Sequence, residues 1–149
     1  MIRVQEAPFD AGTEQQALLA GRTDIGAVVS FTGLVRDFNE HPEVSALTLE
    51  HYPGMTESAL EAIVEDARGR WSLDAVTVIH RVGRLTPGDP IVLVVVASAH
   101  RRAAFEACDF IMDYLKTRAH FWKKEHAGDG DYWVSERDSD HSDARRWEA

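Results

Sequence analysis

The chain has one cysteine, Cys108, among 149 residues. This excludes an internal disulfide and a thiolate metal cluster built within a single chain. Positive charge is also scarce. Sixteen Lys and Arg face twenty-five Asp and Glu, for a formal net charge of −9 and a pI near 5.2. That balance argues against broad binding to nucleic acid or to an anionic membrane. The longest apolar run, Ile91 to Ala97, is far short of the roughly 20 residues that cross a bilayer. The opening residues, MIRVQEAPFDAGTEQQ, lack the basic start and apolar stretch of a secretory signal. A soluble, cytoplasmic protein is expected. There is no Walker sequence and no GxGxxG, so ordinary nucleotide binding loses support. The seven histidines show no HExxH pair and no recognised ligand spacing, and no metal or other cofactor is expected.

With 44% hydrophobic residues the chain can bury the core of one domain but hardly of two. IRVQ at 2–5 alternates like a short strand, and TEQQALLAG at 13–21 predicts a short helix stopped by Gly21. Strands are predicted over 25–35 and 44–52, with the polar loop RDFNEHPE between them, and a helix over 56–70 presents Ala59, Ile63 and Ala67 on one face. Residues 75–85 and 90–99 read as two strands of a hairpin around the turn TPGD. A long helix follows from Arg101 to about Arg118, with a core stripe of Ala104, Cys108, Ile111 and Leu115. HFWKKEH and DYWVSE then flank AGDG as a last hairpin. The polar tail from about 137, RDSDHSDARRWEA, lacks a core stripe and is expected to order only against a partner. The fold class is a single α+β domain, mostly antiparallel.

Three segments could carry chemistry. SAHRR places His100 and Arg101 where a buried strand gives way to a helix N-terminus, whose unpaired N–H groups suit a phosphate. By position alone, Arg101 and Arg102 are equally well read as solvated first-turn residues. In SFTGLVRDFN, Gly33 permits close backbone approach and Arg36 offers a planar fork for phosphate oxygens. A strand-end glycine followed by a surface arginine is also a common arrangement. The third is YLKTRAHFWKK. Residues 100–124 hold six Lys or Arg against three acids, inside a chain of net −9. If the helix continued, Lys116 and Lys123 would share a face roughly 10 Å apart; if the chain turns at Ala119 to Trp122, the two amines could converge. Amines gathered near other cations serve as proton donors or nucleophiles near neutral pH, whereas cations at a helix C-terminus need no further role.

Taken in order, VSFTGLVRDFN, LTLEHYPGMTESAL, VTVIHRVGRLTPGD, SAHRRAAFEACDFIMDYLKTRAHFWKKE and WVSERDSD resemble the large, catalytic subunits of the molybdopterin synthase family, over nearly the whole chain. The resemblance implies an α/β hammerhead fold with an additional antiparallel sheet. It implies a sulfurtransferase of molybdenum-cofactor biosynthesis that converts cyclic pyranopterin monophosphate into molybdopterin by inserting two sulfurs, which form a dithiolene. The sulfur would come from the C-terminal Gly-Gly thiocarboxylate of a small ubiquitin-like subunit, in a heterotetramer built around a dimer of large subunits. A separate donor accounts for a sulfur-handling chain with one apparently buried cysteine.

The resemblance also assigns residues. Leu34, Val35 and Arg36 match a substrate-binding loop, with Leu34 and Val35 contributing backbone, and His100 and Arg101 match an anion-binding pair. Lys116 matches the lysine at the reaction centre, and Lys123, with Lys124 and Glu125, a second basic segment. Phe31 and Met112 would line the pocket, Arg137 would reach across the dimer, and Phe121 and Trp122 would fix the backbone between the amines. Two positions depart from the family pattern: residue 34 is Leu where a Lys is usual, and residue 120 is His where a Pro is usual.

Overall fold

A computed structural model of the chain describes residues 1–36, 46–127, 130–134 and 138–148. Its centre is β6 (Pro90–Ser98), whose residues from Val92 onward are all buried, as an almost unbroken apolar run permits when both faces of a strand are covered. β6 lies between β4 (Ala75–Arg81) and β2 (Ala27–Leu34), and β1 (Ile2–Gln5) completes a four-stranded sheet in the order β1-β4-β6-β2. On one face α2 (Met55–Arg70) and α3 (Arg101–Arg118) cover Val76, Val78, Val92, Val94 and Val96. On the other, α1 (Ala11–Leu19) and Phe9 cover Ile79, Leu93 and Val95. A second, antiparallel sheet runs β5-β3-β7-β8, formed by β5 (Gly83–Leu85), β3 (Ala46–His51), β7 (Phe121–Ala127) and β8 (Gly130–Val134). The α+β architecture with an added antiparallel sheet is the expected one.

The stripe predicted for α3 is the one that packs: Ala104, Cys108, Ile111 and Leu115 are all buried. Burial, helped by the neighbouring Asp109 charge, pushes the Cys108 thiol up to about 12, so this cysteine is an inert core residue. Three expectations differ: the single strand over 75–85, the hairpin turn TPGD and the bounds of the first helix. Residues 75–85 are not one strand, because Gly83 takes φ +86°, a conformation that costs glycine little. The break sends β5 into the second sheet against β3, while β4 and β6 stay antiparallel neighbours. The turn at Thr86–Asp89 therefore links the two sheets. β1 runs parallel to β4. α1 starts where Asp10 accepts from the Thr13 N–H (2.8 Å) and ends at Leu19, short of Gly21.

The C-terminal segment packs without a partner. Here α4 (Asp138–Arg145) leads to Trp147, whose ring meets Trp71 and Phe110 edge-on at 5.6 Å each. The indole N–H donates to Asp113 (2.6 Å), Arg146 pairs with Asp109 and Asp113, and Arg70 donates to the Trp147 carbonyl (2.9 Å). One aromatic anchor and a polar clasp replace the missing stripe. Trp147→Ala should accordingly cost about 2–3 kcal/mol, read as a lower urea midpoint. A loss below about 0.5 kcal/mol, the size of an ordinary surface change, would mean that the segment is not docked.

Candidate active site

α3 ends abruptly, and its end places the two lysines. Beyond Arg118, Ala119 is buried and His120 takes φ +58°, reversing the chain into β7. Thr56, fully buried in the first turn of α2, accepts from the Tyr52 N–H (3.0 Å) and donates to the His120 carbonyl (3.1 Å). That bond ties the corner to the second helix and gives the fully buried Thr56 hydroxyl an acceptor. A proline at position 120, with φ locked near −65°, could not follow this path.

From the corner, β7 pairs with β3 in the register Phe121↔His51, Leu49↔Lys123 and Leu47↔Glu125. Side chains alternate along a strand. Phe121, Lys123 and the fully buried Glu125 therefore share the inner face, while Trp122, 46% exposed, shares the outer face with Lys124. Phe121 packs against both the main core and a smaller cluster of Val35, Leu47, Leu49, Val82 and Leu85. Its ring stacks on His80 of β4 at a centroid distance of 3.8 Å. Lys116, exposed in the last turn of α3, lies close enough to act electrostatically on His80. Val35 seats the other segment: its N–H donates to the Asp89 carbonyl (3.0 Å), and its carbonyl accepts from the Gly88 N–H (2.7 Å). Arg36 projects from that anchor into solvent. Lys116, acting on the His80 that Phe121 stacks on, and Lys123, two residues beyond Phe121 on its face of β7, thus stand on the two sides of one corner, and Arg36 follows the Val35 anchor in the cluster that Phe121 adjoins.

The other predicted residues fall differently. His100 caps α3 with no side-chain bond to the helix, and no acidic residue occupies the first turn. His100 and the exposed Arg101 therefore sit at an open, electropositive helix end. Fifteen residues of helix, about 22 Å, separate Arg101 from Lys116, beyond the reach of both side chains onto one phosphate. The Val35 N–H is committed to the turn rather than open to a ligand, and the Leu34 side chain is 56% exposed. Lys124 points away from Lys123, and Glu125 lies beneath the sheet. Phe31, 41% exposed, stands on the α3 side of the first sheet opposite Val94, and Met112 packs against the main core from α3. Trp122 stands on the outer face of β7, half-exposed. Arg137 lies outside the described residues. Two clefts, about 340 Å³ between α2 and α3 beside Tyr114 and Arg118 and about 330 Å³ beside Glu14 and Arg68, include none of these residues.

Two residues escaped the sequence analysis as parts of a site. Thr56 is a hydroxyl in the first turn of a helix, two residues after Pro53-Gly54, where a capping or bracing bond is common. His80 is a buried residue near the end of β4, next to the buried Ile79, where a polar side chain must find a partner.

The sequence model of the MoaE protein family matches residues 4–118. The chain belongs to the MoaE family. It is 62% identical over 146 residues to the molybdopterin synthase catalytic subunit of Salmonella typhimurium, covering 98% of this chain and 97% of that one. To the protein of the same name from Pseudomonas aeruginosa it is 59% identical over 147 residues, covering 99% and 98%. Among solved structures, the molybdopterin biosynthesis MoaE protein from Burkholderia ambifaria superposes with a TM-score of 0.86 at 49% identity, covering 100% and 98%. Among the described residues no helix is long and apolar enough to cross a membrane.

His80 gives this MoaE-family chain a titration signature. Its Nδ1–H donates to the Arg81 carbonyl (2.8 Å). Burial, reinforced by the charges of Lys116 on α3 and His51 on β3, depresses the imidazole from 6.5 to about 4 despite that bond. The unfolded chain therefore protonates first. Stability is fully present above pH 6.5 and is lost as the pH falls toward 4, by roughly 3 kcal/mol in the limit. Urea midpoints measured between pH 7.5 and 4 should fall more steeply for the natural chain than for His80→Gln. Equal slopes would show that His80 is not held neutral.

Proposed function

We propose that the chain is the catalytic subunit of a molybdopterin synthase, converting cyclic pyranopterin monophosphate into molybdopterin with sulfur from a small carrier subunit. The observation that supports this most directly is the reversed corner after Ala119, which sets Lys116 before it and Lys123 after it in a chain of net −9. An acidic protein that holds two amines at such a corner is built to meet an anion locally. The thiocarboxylate sulfur adds to the pterin side chain and the cyclic phosphate opens to a monoester. Water then cleaves the acyl–sulfur bond, leaving one sulfur on the pterin and a carboxylate on the carrier, and a second thiocarboxylated carrier supplies the second of the two sulfurs of the dithiolene, the side-chain oxygen it replaces leaving as water. Arg36 neutralises the phosphate as its charge rises. Lys116 carries the proton or holds the pterin covalently, and Lys123 orients the carrier's carboxyl end.

The distance along α3 makes a second copy part of the reading. Arg101, Phe105, Met112 and Lys116 follow one stripe of the helix by their spacing, with Phe105 61% exposed. That stripe adjoins β2, an edge strand carrying the exposed Phe31 and Leu34. A copy related by a twofold axis, its α3 antiparallel on this flank, covers the apolar middle and brings its own His100 and Arg101 toward Lys116. The anion site is then shared between chains. The carrier's extended Gly-Gly tail suits an open sheet edge, and β8 is the edge of the second sheet nearest Lys123.

Lys116→Ala should lower turnover with a thiocarboxylated carrier by roughly 10²- to 10⁴-fold while the circular dichroism spectrum stays unchanged. Full activity in that variant would remove Lys116 from the chemistry. Arg36→Ala should instead weaken precursor binding by about 10- to 100-fold, the size of one lost charged hydrogen bond. Unchanged affinity by calorimetry would end its assignment to the phosphate.

A further inference from the structure

Lys116 and Lys123 belong to different parts of the fold. Lys116 rides on α3, packed on the first sheet, and Lys123 lies in the second sheet. Seven residues separate them in sequence, but a reversed corner intervenes, so their spacing depends on how the sheets are joined. At the site the joint is a pair of rings. His80 comes from β4 of the first sheet and Phe121 from β7 of the second, their centroids 3.8 Å apart and their planes inclined by 21°. His80 is only 6% exposed and its orientation is set by the bond from Nδ1 to the Arg81 carbonyl. Phe121 precedes Lys123 by two residues on the same strand face, so a shift of that ring carries the Lys123 backbone with it. Lys116 and His51 flank the imidazole.

We propose that His80 is a positioning residue: by stacking on Phe121 it locks the second sheet against the first and so sets the separation of Lys116 and Lys123. The pair does not touch the reacting atoms. It acts because transfer between two tethered partners tolerates little misplacement, a shift of about 1 Å costing as much as 100-fold in rate. The ring is the operative feature and the hydrogen bond serves to orient it. The kinetic prediction rests on the two lysines forming the reaction centre; the spacing prediction does not.

The test compares His80→Phe, which keeps a flat ring and loses the hydrogen bond, with His80→Leu, which loses the ring. Phe121→Leu removes the same stack from the other side. For each, kcat and the precursor KM are measured with the thiocarboxylated carrier. The yield of the Lys116–Lys123 link formed by a short amine-reactive cross-linker is measured separately by mass spectrometry. His80→Leu and Phe121→Leu should each lower kcat by about tenfold or more, leave KM within about twofold, and change the cross-link yield. The double variant should be no worse than either single one, because both remove one interaction. His80→Phe should restore most of kcat and the natural cross-link yield. Overturning the proposal requires only that both leucine variants keep kcat and cross-link yield and lose nothing but thermal stability. If Lys116→Ala also proves active, the assigned reaction centre fails, and the cross-link yields still decide the spacing.

Discussion

The hydrogen bond from Thr56 to the His120 carbonyl joins three elements that the sequence keeps far apart: the start of α2, the end of α3 and the start of β7. Without that bond the buried Thr56 hydroxyl would keep its acceptor role toward Tyr52 but leave its proton unpaired, at a cost of about 1–3 kcal/mol. His120 pays part of this back by holding a left-handed conformation that non-glycine residues seldom adopt. Everything proposed for the site follows from the corner it fixes. Lys116 is the last charged residue before it on the α3 stripe, Phe121 the first ring after it, and Lys123 the first cation on the inner face of β7.

Much of the fold was legible because its elements announce themselves by period. The run PIVLVVVAS has no polar interruption until its end and became the central strand. The stripe Ala104, Cys108, Ile111 and Leu115 gave α3 its buried face and its direction. What the period could not show was partnership. Gly83 looked like an ordinary residue within a strand, yet its positive φ moves three residues into the other sheet. The C-terminal segment has no periodic face, so its docking through Trp147 and Arg146 onto Asp113 depends on contacts with residues more than thirty positions away.

The candidate site was legible in residue type and only partly in arrangement. Charge drew attention to Lys116 and Lys123, and local sequence left two paths after Ala119; the structure takes the turning one. Side-chain alternation then separates residues that adjoin in sequence. Lys123 faces inward with Phe121, Lys124 faces the other way, and Glu125 is sealed beneath the sheet. Thr56 and His80 lay hidden because their significance is entirely long-range. A threonine at a helix start and a histidine in a strand are unremarked until one meets His120 and the other meets Phe121.

Helix length supplies the strongest constraint on the assembly. Since α3 is rigid, the cations at its two ends cannot act on one small anion within one chain, and a shared site is the economical way to use both. The direct measurement is complementation between Lys116→Ala and Arg101→Ala chains, each impaired alone, mixed under conditions that exchange subunits and assayed with the carrier and precursor. A site drawn from two chains predicts that the mixture regains activity, to roughly a quarter of the natural level for random pairing of two-fold dimers. A mixture no more active than its separate components, with exchange verified, would contradict the shared site.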